Sequence, residues 1–356
     1  MSGARSVVTR ARRVVVKIGS RTLAADADVF ARLARAVAGA RARGKGVVIV
    51  SSGAIALGVK KLGYRARPKE IAKLQAAAAA GQSLLMRAYE EAFGAEDLAV
   101  AQVLLTHADL SDRVRANNAR EALGALLEAG AVPVLNENDS VAVEEIKFGD
   151  NDALSSMVVP LVDADLLVLL SDVEGLLDAR GERVPVVHDI EAEAMPLVRK
   201  SKSDVGTGGM GSKLEAARRA NLAGAHVVIA DARRPDVVGR ILAGDDVGTL
   251  FLSEARRISA KKHWIAFTLR PRGDVVLDEG ATRAVRERGK SVLAVGVLGI
   301  RGDFAEGDAV RVLDARGAEI GRGLSKTDAR TAAAVAGPGK TGDAVVVVHR
   351  DDLVVW

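Results

Sequence analysis

Six short aliphatic, β-branched runs, at 14–16, 47–50, 100–105, 132–135, 166–170 and 227–229, alternate with longer stretches that read as helices at 30–43, 71–93, 117–129 and 213–223. The runs are nearly continuous in apolar character and only a few residues long, as strands buried on both faces are. Such alternation predicts an α/β fold with a mostly parallel sheet covered on both sides and joined by right-handed crossovers. Ligands of these sheets bind outside the carboxyl ends of the strands.

After about Arg257 the texture changes. Strand-like runs at 275–277, 292–297, 309–313 and 344–349 are separated by turns such as Gly302-Asp303 and Arg316-Gly317, with a helix at 282–288. This predicts a small β-rich domain. The boundary is expected near 261–271, giving domains at 1–260 and 271–356, which suits a chain of 356 residues.

The composition excludes several chemistries. There is no cysteine, hence no disulfide, thiolate metal site or thiol nucleophile, and the five histidines show no metal-ligand spacing. No run reaches the roughly 18 apolar residues of a membrane helix. The richest stretch, 157–170, is broken by Asp163 and Asp165. Residues 1–13 are basic but lack an apolar stretch of signal-peptide length, so a cytoplasmic protein without membrane partners is expected. The formal charge is +5, and from Pro271 onward basic and acidic residues balance at 13 each. The excess lies in the first domain, which favours an anionic substrate there over a nucleic acid on the second.

The strand ends carry the chemistry. The first strand closes in Lys17-Ile18-Gly19-Ser20 and the second in Ser51-Ser52-Gly53-Ala54, which runs into a helix. The fourth closes in Asn136-Glu137-Asn138-Asp139, followed by Gly149-Asp150-Asn151-Asp152, and the fifth in Ser171-Asp172. Gly206-Thr207-Gly208-Gly209-Met210-Gly211-Ser212-Lys213 then opens a helix. Glycines let backbone N–H groups approach an anion, and the helix N-terminus adds partial positive charge. Lys213 places a full charge there. The competing reading is an ordinary surface loop. Lys17 reads either as a solvated lysine or as a second phosphate contact. Asp139, Asp150 and Asp152 read as caps and turn formers or as members of a polar site.

Three imitations fail on context. Gly206-x-Gly208-x-x-Gly211, with Asp231 near the ribose-binding distance, matches a dinucleotide fingerprint, but Lys200-Ser201-Lys202-Ser203-Asp204 before it is no strand. Gly339-Lys340-Thr341 and Gly289-Lys290-Ser291 end like P-loops, yet the glycine needed upstream is Ala334 in one and Ala284 in the other. An NAD-dependent dehydrogenase and an RNA-binding protein working through the second domain are the rival readings.

At these motifs the sequence resembles the glutamate 5-kinase family of the amino acid kinase superfamily. The residues carrying the resemblance are Val16 through Ser20, Ser51 through Ala56, Asn136 through Ala142, Gly149 through Asp152 and Gly206 through Lys213. Residues 271–345, including Val276-Leu277-Asp278-Glu279-Gly280-Ala281, resemble the PUA domain that many of these kinases append. The resemblance implies the family's three-layer sandwich and transfer of the ATP γ-phosphoryl group to the side-chain carboxylate of L-glutamate, the first step of proline biosynthesis. It implies ATP with Mg²⁺, feedback inhibition by proline and a homo-oligomer. Ser52, Gly53, Asn136, Asp139, Asp150 and Asn151 match residues around the amino acid. Lys17, Gly19, Ser171, Asp172, Thr207, Gly208, Gly209, Met210, Gly211, Ser212 and Lys213 match the ATP site. Lys17, Lys213 and Asp152 match the catalytic set, with Asp152 orienting the two lysines. No protein metal ligand is implied. The sequence departs from the family at Gly175-Leu176-Leu177-Asp178-Ala179-Arg180, where a tyrosine and an Asp-Pro pair are usual and the loop over 175–188 is short. It also has Ser212 in place of the usual threonine.

A glutamate side chain, with an ordinary pKa of about 4.3, is ionised at neutral pH and needs no general base. Bringing two anions together is the obstacle. Catalysis by positioning and charge neutralisation is therefore expected.

Overall fold

The structure is a computed structural model that describes residues 3–25, 28–142, 151–199, 209–253, 258–337 and 345–356. It divides into two compact units, 1–257 and 258–356.

The first unit is built on an eight-stranded sheet. Its strands are β1 (Arg13–Ile18), β2 (Gly46–Ser51), β3 (Val100–Leu105), β4 (Val132–Glu137), β5 (Leu166–Ser171), β6 (Val186–Val187), β7 (His226–Asp231) and β8 (Thr249–Phe251). They lie in the order β3-β4-β2-β1-β5-β7-β8-β6, and every neighbouring pair is parallel except β7 with β8. The register aligns the strand ends: Ile18 faces Ser51 and Leu170, Leu105 faces Glu137, and Ser171 faces Asp231.

Alternation along the strands separates two cores. Val14, Val16, Ile18, Ile49, Val168 and Leu170 pack on one face with the helices Val29–Ala42, Ile71–Gly94 and Val237–Ala243. Val15, Val48, Val50, Leu167 and Leu169 pack on the other with Arg113–Glu128, Asn151–Leu161 and Met210–Leu222. Each such residue contributes about 1.5–3 kcal/mol when fully buried. Lys17 is two residues beyond Val15, so its side chain leaves the sheet on the second face, toward the last two helices.

Three of those elements escape the sequence pattern. The helix Asn151–Leu161 is buried nearly all round and contains Pro160, so it shows no amphipathic stripe. The strands β6 and β8 have two and three residues. The helices read at 117–129 and 213–223 begin earlier, at Arg113 and Met210. Asp112 caps the first by accepting from the backbone N–H groups of Val114 and Arg115.

The second unit holds a six-stranded sheet: β9 (Gly273–Leu277), β10 (Val292–Leu293), β11 (Val297–Gly302), β12 (Ala309–Leu313), β13 (Glu319–Ser325) and β14 (Val346–Val355), in the order β10-β14-β13-β12-β9-β11. The run read as one strand over 292–297 is two, interrupted by a 3₁₀ turn at Ala294–Gly296. No strand was expected at β13, whose apolar character Gly321 and Gly323 interrupt. They are required by close packing: a Cβ at Gly321 would lie 2.3 Å from Val354 O and one at Gly323 2.3 Å from Val348 Cγ1. The segment before Pro271 belongs with this sheet. Ile265, Ala266 and Phe267 are buried, Arg322 donates to Ala266 O at 2.9 Å, and Phe267 stacks on Trp356. The structural division therefore falls after Arg257, upstream of the expected 261–271.

Candidate active site

The aligned carboxyl ends of β1, β2, β4 and β5 place the sequence motifs along one edge. β1 ends just after Lys17, whose ammonium reaches Asp152 Oδ1 at 2.5 Å. The helix Met210–Leu222 delivers Lys213 to Asp152 Oδ2 at 3.2 Å. Asp152 is fully buried in the first turn of Asn151–Leu161, and both lysines are buried beside it. Burial by itself would raise the Asp152 carboxyl. The charges of Lys17 and Lys213 outweigh it and hold the group below the ordinary carboxylate range. Two ammonium groups share one carboxylate, so the cluster carries a net positive charge suited to an anion.

The described end of the glycine motif, from Gly209, opens the helix that carries Lys213. Gly209 caps the Met210–Leu222 helix with its own backbone, and Ser212 donates to Gly209 O at 3.0 Å. Met210, Gly211 and Ser212 form the helix's first turn, where backbone N–H groups lack intrahelical partners. Thr207 and Gly208, with Gly206, lie outside the described residues, as does Asp150.

At the β5 end, Ser171 donates to Asp172 Oδ1 at 3.1 Å, and Arg21 donates to Asp172 Oδ2 at 3.1 Å. Partial burial opposes ionisation of Asp172, but these bonds prevail and lower its pKa. Gly19 adjoins the lysine cluster: a Cβ there would lie 4.0 Å from Lys17 Nζ. Asp231, near the distance of a ribose-binding acid, is instead engaged by Arg233, whose hydrogen bonds depress its pKa. Arg233 also donates to Asp172 O at 3.0 Å. The departing loop folds back on itself, with Leu177 bridged to Arg183 and Leu176 N donating to Thr249 Oγ1 at 2.9 Å. Gly289, from one P-loop imitation, ends a helix rather than preceding one.

A polar network adjoins Asp152. Asn151 Nδ2 donates to Ser51 O at 2.5 Å, Ser52 Oγ at 2.8 Å and Asn136 Oδ1 at 3.0 Å. Gly53 then opens the helix Ala54–Lys61 at φ +101°, a conformation that favours glycine. Asp139 sits in the turn after β4, where Val141 N and Ala142 N both donate to Asn138 O. Ser52, Gly53, Asn136 and Asn151 are thus brought together at the ends of β2 and β4. The sequence reading did not find Gln82, Gln102 and Tyr89, which extend this network. Asn136 donates to Gln82 Oε1 at 2.9 Å, Gln82 to Gln102 Oε1 at 3.0 Å, and Tyr89 to Ser51 Oγ at 2.9 Å. Gln82 and Tyr89 sit in an alanine-rich helix whose residues carry no motif.

Residues 12–231 match the amino acid kinase family. The chain belongs to that family. Residues 273–341 match the PUA domain. Similar proteins include glutamate 5-kinases: that of Myxococcus xanthus is 46% identical, with 100% of this chain and 99% of the relative covered. That of Syntrophotalea carbinolica is 43% identical over 99% of both chains. The amino acid kinase fold also appears in the structure of N-acetylglutamate synthase from Neisseria gonorrhoeae complexed with coenzyme A and L-arginine, with a TM-score of 0.52 at 15% identity. That match covers 71% of this chain and 64% of the other, and shows the fold alone. This amino acid kinase is an enzyme of the glutamate 5-kinase group with a C-terminal PUA domain. Among its described residues no helix is long and apolar enough to cross a membrane.

Proposed function

We propose that this kinase transfers the γ-phosphoryl group of ATP to the side-chain carboxylate of L-glutamate, giving L-glutamyl 5-phosphate for proline biosynthesis. The observation that supports this best is the pairing of Lys17 and Lys213 on Asp152, directly beside the Asn151–Ser52 network. Lys17 and Lys213 would stand on either side of the transferring phosphoryl group, with Asp152 holding both ammonium groups in position. Gly19, Ser171, Asp172 and the residues from Thr207 through Ser212 would line the nucleotide, and Ser52, Gly53, Asn136, Asp139, Asp150 and Asn151 the amino acid.

The nucleophile is a carboxylate ionised at neutral pH, so no general base enters the reading. The work is alignment and screening of negative charge, the terms that dominate phosphoryl transfer. Among the described residues no group of three His, Asp or Glu side chains could hold an ion. The cationic lysine pair suits a polyphosphate, and Mg²⁺ in this reading arrives on the ATP phosphates and screens their charge.

The same reading brings a cytoplasmic enzyme, proline as feedback inhibitor at or near the glutamate subsite, and a homo-oligomer. Release of ADP that requires both glutamate and Mg²⁺ tests the reaction. Proline added to that assay tests the inhibition. ADP release indifferent to glutamate would refute the assignment of the acceptor.

A further inference from the structure

Four amides run in series away from the amino-acid network, and their hydrogen bonds all point one way. Gln102 Oε1 accepts from Gln82 Nε2, Gln82 Oε1 accepts from Asn136 Nδ2, and Asn136 Oδ1 accepts from Asn151 Nδ2. Two backbone groups fix the direction, because neither can reverse its role. Glu137 N–H must donate, and it donates to Asn136 Oδ1 at 2.9 Å. Ser51 C=O must accept, and it accepts from Asn151 Nδ2 at 2.5 Å. Asn136 therefore has its oxygen turned to Asn151 and its nitrogen turned to Gln82. The two hydrogens of the Asn151 nitrogen are shared among three acceptors.

The consequence lies at the end of the series. All three contacts of the Asn151 amide use its nitrogen, and among the described residues no group donates to its Oδ1. Ser52 Oγ is likewise used as an acceptor, which leaves its hydroxyl hydrogen to be given elsewhere. The subsite thus presents one carbonyl oxygen and one hydroxyl donor, complementary to an α-ammonium and an α-carboxylate.

We propose that Gln82 is a positioning residue for substrate specificity: through Asn136 it holds the Asn151 amide with its carbonyl oxygen open to the ammonium group of the amino acid. This rests on the glutamate reading above. Gln82, Asn136 and Asn151 are each more than nine-tenths buried, so water does not readily replace a lost partner. Removing the Gln82 oxygen leaves the Asn136 nitrogen without its acceptor. Asn136, then held only through its oxygen by Glu137 N–H, can shift, and Asn151 loses one of the three contacts that fix its position. Gln82 touches no reacting atom in this account, so its effect falls on KM for the amino acid.

The test is a double-mutant cycle with Gln82→Met, which keeps volume and removes both hydrogen bonds, and Asn151→Ala. Gln82→Met is expected to raise KM for glutamate about tenfold, with KM for ATP and kcat within about threefold. In the Asn151→Ala background the same change is expected to add less than about twofold. Gln82→Glu keeps an acceptor for Asn136 Nδ2 and is expected to recover most of the affinity. An unchanged KM in Gln82→Met, additive effects in the cycle, or equal losses in the Met and Glu variants would overturn the proposal. Should Gln82→Met fail to fold, the Glu variant decides: a tenfold rise in KM from folded protein refutes the acceptor role. Wild-type enzyme without saturable glutamate dependence would sink the underlying reading as well, and is distinguished by needing no variant at all.

Discussion

Lys17 Nζ lies 2.5 Å from Asp152 Oδ1, and the carboxylate that binds it is fully buried. A buried ion needs its partners, and Asp152 has a second in Lys213. Because the folded-state pKa of Asp152 is depressed, its ionisation contributes stability that is present above the unfolded value, about 4, and is lost as pH falls through the lower folded value. Asp152→Asn is expected to lower stability by on the order of 3 kcal/mol at neutral pH, with two buried ammonium groups left facing each other. Thermal unfolding from pH 8 to 3 should show a constant difference from wild type down to about pH 5 and a narrowing difference below about pH 4. A difference that widened on acidification would contradict the assigned charge state.

Lys213 reaches the site from the first turn of a helix whose packing depends on Leu214, Ala216, Ala217 and Ala220, all buried. Its ammonium can therefore be removed without removing the helix's core. Lys213→Ala is expected to lower kcat by about 10²–10³, the usual effect of deleting one preorganised donor, with the fold retained by circular dichroism. Near-normal turnover would take Lys213 out of the mechanism.

Asp139 lies in the turn after β4, two residues beyond the strand's last residue, Glu137. If its carboxylate reads the amino group of the substrate, Asp139→Ala raises KM for glutamate more than it lowers kcat. Steady-state kinetics with glutamate varied at saturating ATP measures this. An unchanged KM would remove that role.

The helix that begins at Gly53 packs on Ile71–Gly94 with almost no space between backbones. A Cβ at Gly58 would lie 1.7 Å from Ala77 O, and one at Gly81 would lie 1.7 Å from Ala54 O. Both oxygens are backbone, so neither can move aside as a side chain would. Gly81→Ala is expected to destabilise by about 3 kcal/mol or more and, by pushing Ala54 and the adjoining Ser52-Gly53 turn, to raise KM for glutamate. Denaturant unfolding checks the first effect. A stable variant would mean that the helices separate easily.

How far the fold could be read from the sequence follows burial. The strands β1, β2, β4, β5 and β7 were legible because parallel strands buried on both faces leave unbroken aliphatic runs, and the half-buried edge strand β3 because only Gln102 interrupts its aliphatic run. β6 and β8, at two and three residues, are too short to leave a pattern. Asn151–Leu161 was missed for the opposite reason, since a helix apolar on every side has no stripe to detect. In the site, Lys17 stood out at a strand end and Lys213 at the helix opened by the glycine run, whereas Asp152 was picked out by the family resemblance. Gln82 did not stand out, because a glutamine in an alanine-rich helix matters only through what folding brings to it. Asp150, Thr207 and Gly208, named from the sequence, fall outside the described residues.

The central claim is that the glutamate side-chain carboxylate accepts the phosphoryl group. The most direct measurement is ATP-dependent acyl-phosphate formation, trapped as the hydroxamate, with Mg²⁺ and with glutamate, aspartate, N-acetylglutamate or no acid in parallel. The account predicts hydroxamate with glutamate and none above background with the others. Hydroxamate from another acid and not from glutamate, or none from any of them with folded protein, would contradict it.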